Sequence, residues 1–569
     1  MRILILFLLF PLYLSGAEAV SDARLKHQIA RMLIVGFDAE RLDGFDPFVS
    51  DLRRYRPGGV ILFDRDYHDR NRTKNIRSPE QLRALTEQLG AYATAPLLIA
   101  VDQEGGKVAR LKPAYGFPET PSAASIGKKG DASYAEETYG ILAEALETAG
   151  INTDLSPVVD LARNPRNEII VGLERSYGNS PETVALYAGA FIDALRQKNI
   201  IPVLKHFPGH GSSLGDSHKG FVDVSDTWNA VELEPYRRLI EAGKADMVMT
   251  AHVYNRRLDP EYPATLSYRV NTQLLRDQLG FEGVIVSDDL QMKAISEHYS
   301  LQETVRLAIN AGVDMLLFGN QLTQTSLDAA VNAVYEEVKA GRISPERIAE
   351  ANRRIRTLFD KYDIGAPRII DKPVAFGEER IALTKQYIKQ HYAKTVDDIV
   401  IDPKVIVLHW TADMGLESSF ARLQPERLPG ARSDISSAGA LNVSAHFLVD
   451  RDGTIYRLMP ETWMARHVIG LNYSSIGIEN VGGEENAKED LTPAQLKSNI
   501  ALVRYLKHKY PGIRYLIGHH EYRAMETTPL WLEKDSGYRT EKNDPGPKFM
   551  RGVRSAVSDL YLETPPQVP

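Results

Sequence analysis

Residues 200–220 read Ile200-Ile201-Pro202-Val203-Leu204-Lys205-His206-Phe207-Pro208-Gly209-His210-Gly211-Ser212-Ser213-Leu214-Gly215-Asp216-Ser217-His218-Lys219-Gly220. The stretch opens as an apolar run and closes as a polar loop. Ile200 to Leu204 has the length and composition of a buried strand. From Lys205 onward, imidazole, carboxylate and ammonium groups stand among glycines and a proline. Glycine admits backbone angles closed to other residues, so this is a shaped loop. Chemistry-bearing groups therefore sit where a strand ends. Asp216 and His218 are two apart and can pair, an arrangement that orients an imidazole and tunes its proton affinity.

The same unit recurs. Eight short apolar runs are spread over the first 320 residues: Met32–Gly36, Gly59–Phe63, Leu97–Val101, Ile151–Leu155, Ile201–Leu204, Met247–Thr250, Val284–Ser287 and Met315–Phe318. Segments of helical spacing lie between them, such as Pro79–Tyr92, Tyr134–Ala149, Pro181–Gln197 and Leu301–Ala311. Alternation of this kind predicts an α/β fold, either a (β/α)8 TIM-type barrel or a doubly wound sheet. Polar groups decide between them. Asp102 follows the third run, the loop at 205–220 the fifth, His252 the sixth and Asp288 the seventh. Groups at so many strand ends converge on one mouth only if the sheet closes.

Helical patterns come next at Pro345–Tyr362 and Glu378–His391, with a loop-like stretch at Gly365–Phe376. A second, mixed α/β unit begins with the run Val405–Leu408. It continues through strands near Ala445–Val449, Thr454–Leu458 and Ser475–Glu479, a helix at Pro493–Tyr510 and a strand at Ile513–Ile517. The expected division is a leader at 1–19, a barrel at 20–365, a linker and helix at 366–400, and a second domain at 401–569. A chain of 569 residues is expected to hold more than one domain.

Hydrophobic content of 43% and charged content of 25% are those of a folded, soluble protein. The net charge of −7 gives no reason to expect a nucleic-acid partner. Without cysteine, disulfides and zinc–thiolate sites are excluded, and any metal must be held by His, Asp or Glu. Arg2, the apolar run Ile3–Leu14 and the small-x-small site Ala17-Glu18-Ala19 form a signal-peptide pattern. We expect cleavage after Ala19 and export, to the periplasm, with no stable membrane insertion afterwards.

The barrel's polar residues resemble the bacterial β-N-acetylglucosaminidases of glycoside hydrolase family 3. Four motifs carry the resemblance, in order: Asp102-Gln103-Glu104-Gly105-Gly106 with Arg110, Gly172–Gly178, Lys205–His218, and Val286-Ser287-Asp288-Asp289-Leu290. Lys107 stands where that family usually has arginine. The resemblance implies retaining hydrolysis of terminal β-linked N-acetylglucosamine, with Asp288 as nucleophile. It assigns the acid/base role to His218, with Asp216 as its partner. Asp102, Arg110, Arg175, Lys205 and His206 would bind the sugar. A neutral base also admits an anionic acceptor, so phosphorolysis stays open as an alternative outcome.

In the second domain, His409 ends a strand, Gly518-His519-His520 supplies a second imidazole, and Asn543-Asp544-Pro545 a carboxylate. Two His and one Asp can hold zinc and leave a position for water. The segments Leu408–Ala412, Val443–His446, Asp452–Ile455, Ser475–Glu479 and Asp544–Pro547 resemble the type 2 N-acetylmuramoyl-L-alanine amidases. The resemblance implies a zinc amidase domain with ligands His409, His519 and Asp544. Glu479 would be the general base and Lys542 would stabilise the oxyanion. His446 and His467 either line the cleft or pack beneath it. The insertion Arg523–Glu541 is a candidate lid.

Together these readings predict a bifunctional hydrolase of peptidoglycan fragments. Its substrates would be GlcNAc-MurNAc-peptides, with anhydro forms among the candidates. Zinc would be the cofactor of the amidase domain, and the glycosidase domain would need none. A cell-wall binding protein with one active domain is the alternative of a different class.

Overall fold

The computed structural model describes residues 22–217, 219–365, 367, 369–430 and 439–566. The expected leader and His218 lie outside the described residues. The described chain forms two compact units that divide between Ile364 and Gly365.

The first unit is a closed barrel. Its strands are β1 (Leu33–Gly36), β2 (Gly59–Ile61), β3 (Leu98–Val101), β4 (Thr153–Asp154), β5 (Ile201–Phe207), β6 (Met247–Thr250), β7 (Val284–Asp289) and β8 (Met315–Phe318). Each pairs in parallel with its neighbours in sequence, and β1 pairs with β8 to close the ring. All eight apolar runs become barrel strands. They read as continuous apolar runs because side chains pack on both faces, inside the barrel and beneath the outer helices. The helices start where local chemistry directs. Pro181–Arg196 begins with a proline behind the Ser180 cap, and Leu301–Ala311 carries a Ser300/Glu303 capping box.

One boundary differs from the sequence reading. β5 runs to Phe207, so Lys205 and His206 belong to the strand and not to the loop after it. Leu204 and Phe207 are in register with Val248 and Thr250 on one side, and Lys205 bridges Val158 on the other. The peptide bonds Lys205–His206 and Phe207–Pro208 are cis.

The second unit is built on a six-stranded sheet. Its strands are β9 (Ile369–Asp371), β10 (Val405–Trp410), β11 (Phe447–Val449), β12 (Ile455–Arg457), β13 (Ser475–Asn480) and β14 (Tyr515–Gly518), in the order β9-β12-β11-β13-β10-β14. Only the β11–β12 pair is antiparallel. The segment read as a linker is therefore part of this unit. Ile369–Asp371 adds its edge strand, and helix Glu378–Tyr392 buries Leu383, Tyr387 and Ile388 in its core. The strand was hidden because an edge strand of three residues carries no periodic signal, whereas the helix was read from its spacing and only its membership of this unit was missed.

Side chains alternate across this sheet. Val405, Val407 and Ile517 face helix Glu378–Tyr392, whereas Ile406, Leu408 and Ile478 face Leu502, Leu506 and Val553 of the helices on the other side. Alternation puts His409, Ser475, Gly477 and Glu479 on the first of these faces. The insertion Arg523–Glu541 also packs there and is not a free lid. Leu532 and Lys534 donate backbone bonds to Gly470 and His391 (2.9 Å each), and the Tyr522 hydroxyl is bonded to both backbone groups of Thr540.

Candidate active sites of the two units

At the barrel mouth, charged side chains from the segments after β3 and β4 and from β5 form one connected cluster. The Lys205 ammonium lies 2.8 Å from Asp102 Oδ1 and 2.7 Å from Glu104 Oε1. Arg110 reaches Asp102 Oδ2 at 3.2 Å. Arg175 grips Glu104 with two bonds of 2.7 Å, through Nε and Nη2. The same Nη2 lies 3.1 Å from His206 Nε2, and His206 Nδ1 lies 2.7 Å from Asp160 Oδ2. A guanidinium can only donate, so His206 Nε2 accepts and its Nδ1–H donates to Asp160. Asp160 also receives the backbone N–H of His210 at 2.7 Å.

Burial opposes ionisation of Asp102, but Lys205 and Arg110 override it and hold the carboxyl well below its usual range. Glu104 is likewise burdened by burial and brought down to about 2 by Arg175 and Lys205. The cluster is thus ionised and interlocked. All five sugar-binding candidates, Asp102, Arg110, Arg175, Lys205 and His206, lie in it.

Asp288 lies near the end of β7, where its Oδ1 accepts the N–H of Asp289 at 2.8 Å. The next turn is fixed from two sides. Buried His252 holds the carbonyl of Asp289 at 2.9 Å, and Asp289 Oδ1 takes the N–H groups of Gln291 and Gly319 at 3.1 Å. Asp216 is partly exposed, 3.5 Å from the Lys219 ammonium. Its loop is tied to the segment after β7, because Ala294 donates to the carbonyl of Ser217 at 3.2 Å. Lys107 bridges Glu174 and the carbonyl of Gly172, both at 3.0 Å.

Two members of this cluster were missed in the sequence. Glu104 lay inside one of the four motifs, and its role shows only when Arg175, 71 residues on, folds onto it. Asp160 follows the fourth apolar run, which left its trace in the chain. Sequence reading found polar groups after the third, fifth, sixth and seventh runs and passed over this one.

Glu232 lies beneath the loop after β5. It is almost fully buried and accepts the N–H of Gly211 at 3.0 Å. Burial pushes its carboxyl up from 4.5 to about 7. A raised value means that the folded chain holds this proton more tightly than the unfolded chain. The protonated acid therefore favours folding, and stability falls as pH rises from 4.5 to about 7. His210 has the opposite sign, since burial pushes it down from 6.5 to about 4 and stability falls as pH drops through that range. The two cancel in part, so the comparison needs a variant. Glu232→Gln should gain stability over the parent chain between about pH 5 and pH 8, by about 3 kcal/mol at the upper end. Denaturant unfolding of both proteins at each pH measures the gap. A gap that stays constant with pH would contradict the assignment.

In the second unit, three adjacent strands bring their ends to one level. His409 on β10 is in register with Glu479 on β13, and Leu408 with Gly518 at the end of β14, just before His519. His409 Nδ1 lies 2.9 Å from His519 Nδ1 and 3.3 Å from Asp544 Oδ2, and His519 Nδ1 lies 3.0 Å from the same oxygen. Ligand atoms about 2.0–2.1 Å from a tetrahedral ion are separated by roughly 3.3–3.4 Å. Two buried imidazole nitrogens and a carboxylate oxygen at these spacings fit a zinc ion. Burial and the nearby His519 push His409 down to about 4, leaving it neutral at pH 7. Burial works against ionisation of Asp544, yet the two histidines keep it well below the usual range.

His520 turns elsewhere, its backbone N and its Nδ1 both 2.9 Å from the Asp544 carbonyl oxygen. Partly buried Lys542 is close enough for its charge to act on His409. His446 packs beneath the site, accepting from the Gly477 N–H at 3.0 Å and bonding the Trp463 carbonyl at 2.8 Å. His467, in contrast, touches His409 directly.

Comparison with known proteins places both units. The family model described as the glycosyl hydrolase family 3 N terminal domain matches residues 25–358. The chain belongs to glycosyl hydrolase family 3. A second family model, N-acetylmuramoyl-L-alanine amidase, matches residues 400–547. A β-hexosaminidase of Tolumonas auensis is 39% identical over 274 residues, covering 47% of this chain and 77% of that protein. The β-N-acetylhexosaminidase structure from Beutenbergia cavernae aligns with a TM-score of 0.52 at 30% identity, over 59% of this chain and 98% of that one. A family 3 β-N-acetylglucosaminidase from Paenibacillus aligns with a TM-score of 0.54 at 27% identity, over 87% and 84%. This family 3 chain is accordingly an enzyme that joins a glycosidase to an N-acetylmuramoyl-L-alanine amidase.

Proposed function

We propose that this enzyme is exported and trims peptidoglycan fragments at two bonds. The barrel would release terminal β-linked N-acetylglucosamine with retention, and the second unit would cleave the amide between N-acetylmuramic acid and L-alanine. The observation that carries this reading is the pairing on one chain of a hexosaminidase-type mouth with the His409–His519–Asp544 cluster. Both bonds flank the same sugar, so one disaccharide-peptide can serve both sites. The N-terminal pattern Arg2, Ile3–Leu14 and Ala17-Glu18-Ala19 supports export.

In the barrel, Asp288 would attack the anomeric carbon while His218 protonates the departing oxygen. Asp216 would orient that imidazole and stabilise its charged form. His218 would then deprotonate the water that hydrolyses the glycosyl-enzyme. The interlocked cluster of Asp102, Arg110, Arg175, Lys205 and His206 would hold the sugar without reorganising. In the second unit, His409, His519 and Asp544 would hold zinc, which when bound would supply Lewis-acid chemistry for a carbonyl and for water near neutral pH. Glu479, level with His409 on the next strand, would take a proton from the attacking water. Lys542 would face the amide oxygen as negative charge develops there.

Mass spectrometry of products from a defined GlcNAc-MurNAc-peptide tests the reading. We expect free N-acetylglucosamine and free peptide, with a chelator abolishing peptide release only. Sugar released as its 1-phosphate in phosphate buffer would replace hydrolysis by phosphorolysis. Retention of peptide release under chelation would overturn the zinc assignment.

A further inference from the structure

His467 sits on a chain of hydrogen bonds that starts at a candidate ligand and ends on the backbone. His409 Nε2 lies 3.0 Å from His467 Nδ1, His467 Nε2 lies 3.1 Å from Ser475 Oγ, and Ser475 Oγ lies 2.9 Å from the Leu471 carbonyl oxygen. The far end fixes every direction. A carbonyl only accepts, so Ser475 donates to it and receives the Nε2–H of His467. Neutral His467 must then accept at Nδ1, and His409 must carry its proton on Nε2. That leaves His409 Nδ1 bare, and Nδ1 is the atom that faces His519 and Asp544.

The seat of His467 is built for it. A side chain at residue 477 would begin 2.7 Å from the imidazole, so glycine there lets the ring lie flat against β13. The backbone N–H groups of His467 and Val468 are both held by Asn472 Oδ1, at 2.9 and 2.8 Å. Ser475, Gly477 and His409 share one face of the sheet.

From this geometry we infer that His467 is a positioning residue of the amidase. It selects Nδ1 as the ligand atom of His409 and, through Ser475, anchors that ligand to the Leu471 carbonyl. Partners of this kind hold a ligand ring in place, and their loss typically weakens metal binding by about 10- to 100-fold. The inference rests on the zinc reading proposed for this unit.

The test is zinc affinity of the full chain, measured by competition with a chromophoric chelator, with hexosaminidase turnover and thermal unfolding as checks on the fold. His467→Ala should bind zinc about 10- to 100-fold more weakly. His467→Gln can accept from His409 and donate to Ser475, so it should recover most of that loss. Gly477→Ala should resemble His467→Ala with the imidazole still present. Zinc binding by folded His467→Ala within twofold of the parent chain would overturn the inference, as would His467→Gln binding no better than His467→Ala. If the parent chain itself binds no zinc, the failure belongs to the zinc reading.

Discussion

Asp288→Asn should lower hexosaminidase turnover by on the order of 10³-fold or more, with peptide release from the same substrate unchanged. In the proposed mechanism the carboxylate is the reactive group, and an amide of the same shape would not form the glycosyl-enzyme. The substitution is mild for the fold. Asn retains an oxygen for the Asp289 N–H, and the turn beyond it is held by His252 and by Asp289 itself. The effect should fall on kcat, since sugar binding is assigned to the separate cluster around Lys205. Steady-state kinetics on an aryl N-acetylglucosaminide, alongside amidase assays, provide the check. Turnover within tenfold of the parent chain would remove Asp288 from the nucleophile's role.

His409→Ala should abolish amidase turnover, a loss of at least about 10³-fold, and remove tight zinc binding while hexosaminidase turnover persists. Two effects combine. One of three candidate ligands disappears, and His467 Nδ1 loses its donor in a buried site. An unsatisfied buried polar group costs about 1–3 kcal/mol, so the second unit should also unfold at lower denaturant. His519→Ala separates the effects, because it removes a candidate ligand and leaves the His409–His467 bond intact. Both variants should lose zinc, whereas His409→Ala should be the less stable. Amidase activity in either one would sink the ligand assignment.

The barrel was legible because each of its strands is an apolar run, and because closure gathers the polar groups at the ends of those runs. Pattern along the chain carries that information. Partners across the fold leave no such trace. Glu104 and Arg175, or Asp160 and His206, meet only once the strands between their positions have paired. His467 was visible as a histidine near a cleft, but its role depends on the proton direction set by the Leu471 carbonyl. Helix Glu378–Tyr392 was found and assigned to a linker, because nothing in its own spacing tells which sheet it covers. The position of β5's end was misjudged for a related reason. Lys205 and His206 look like loop residues by composition, and register with β6 and the bridge to Val158 make them strand.

The barrel-mouth cluster has a consequence for recognition. Lys205, Arg110 and Arg175 contribute three positive charges, and Asp102, Glu104 and Asp160 three negative ones. His206, proton on Nδ1, adds none. The sum is zero, so this part of the mouth casts little net field into solvent. It offers an uncharged sugar many directional donors and acceptors and offers a free ion no bulk attraction. Binding through it should depend weakly on ionic strength. On the proposed muropeptide substrate, carboxylates elsewhere would gain nothing by entering, so its neutral end is the end this mouth should favour.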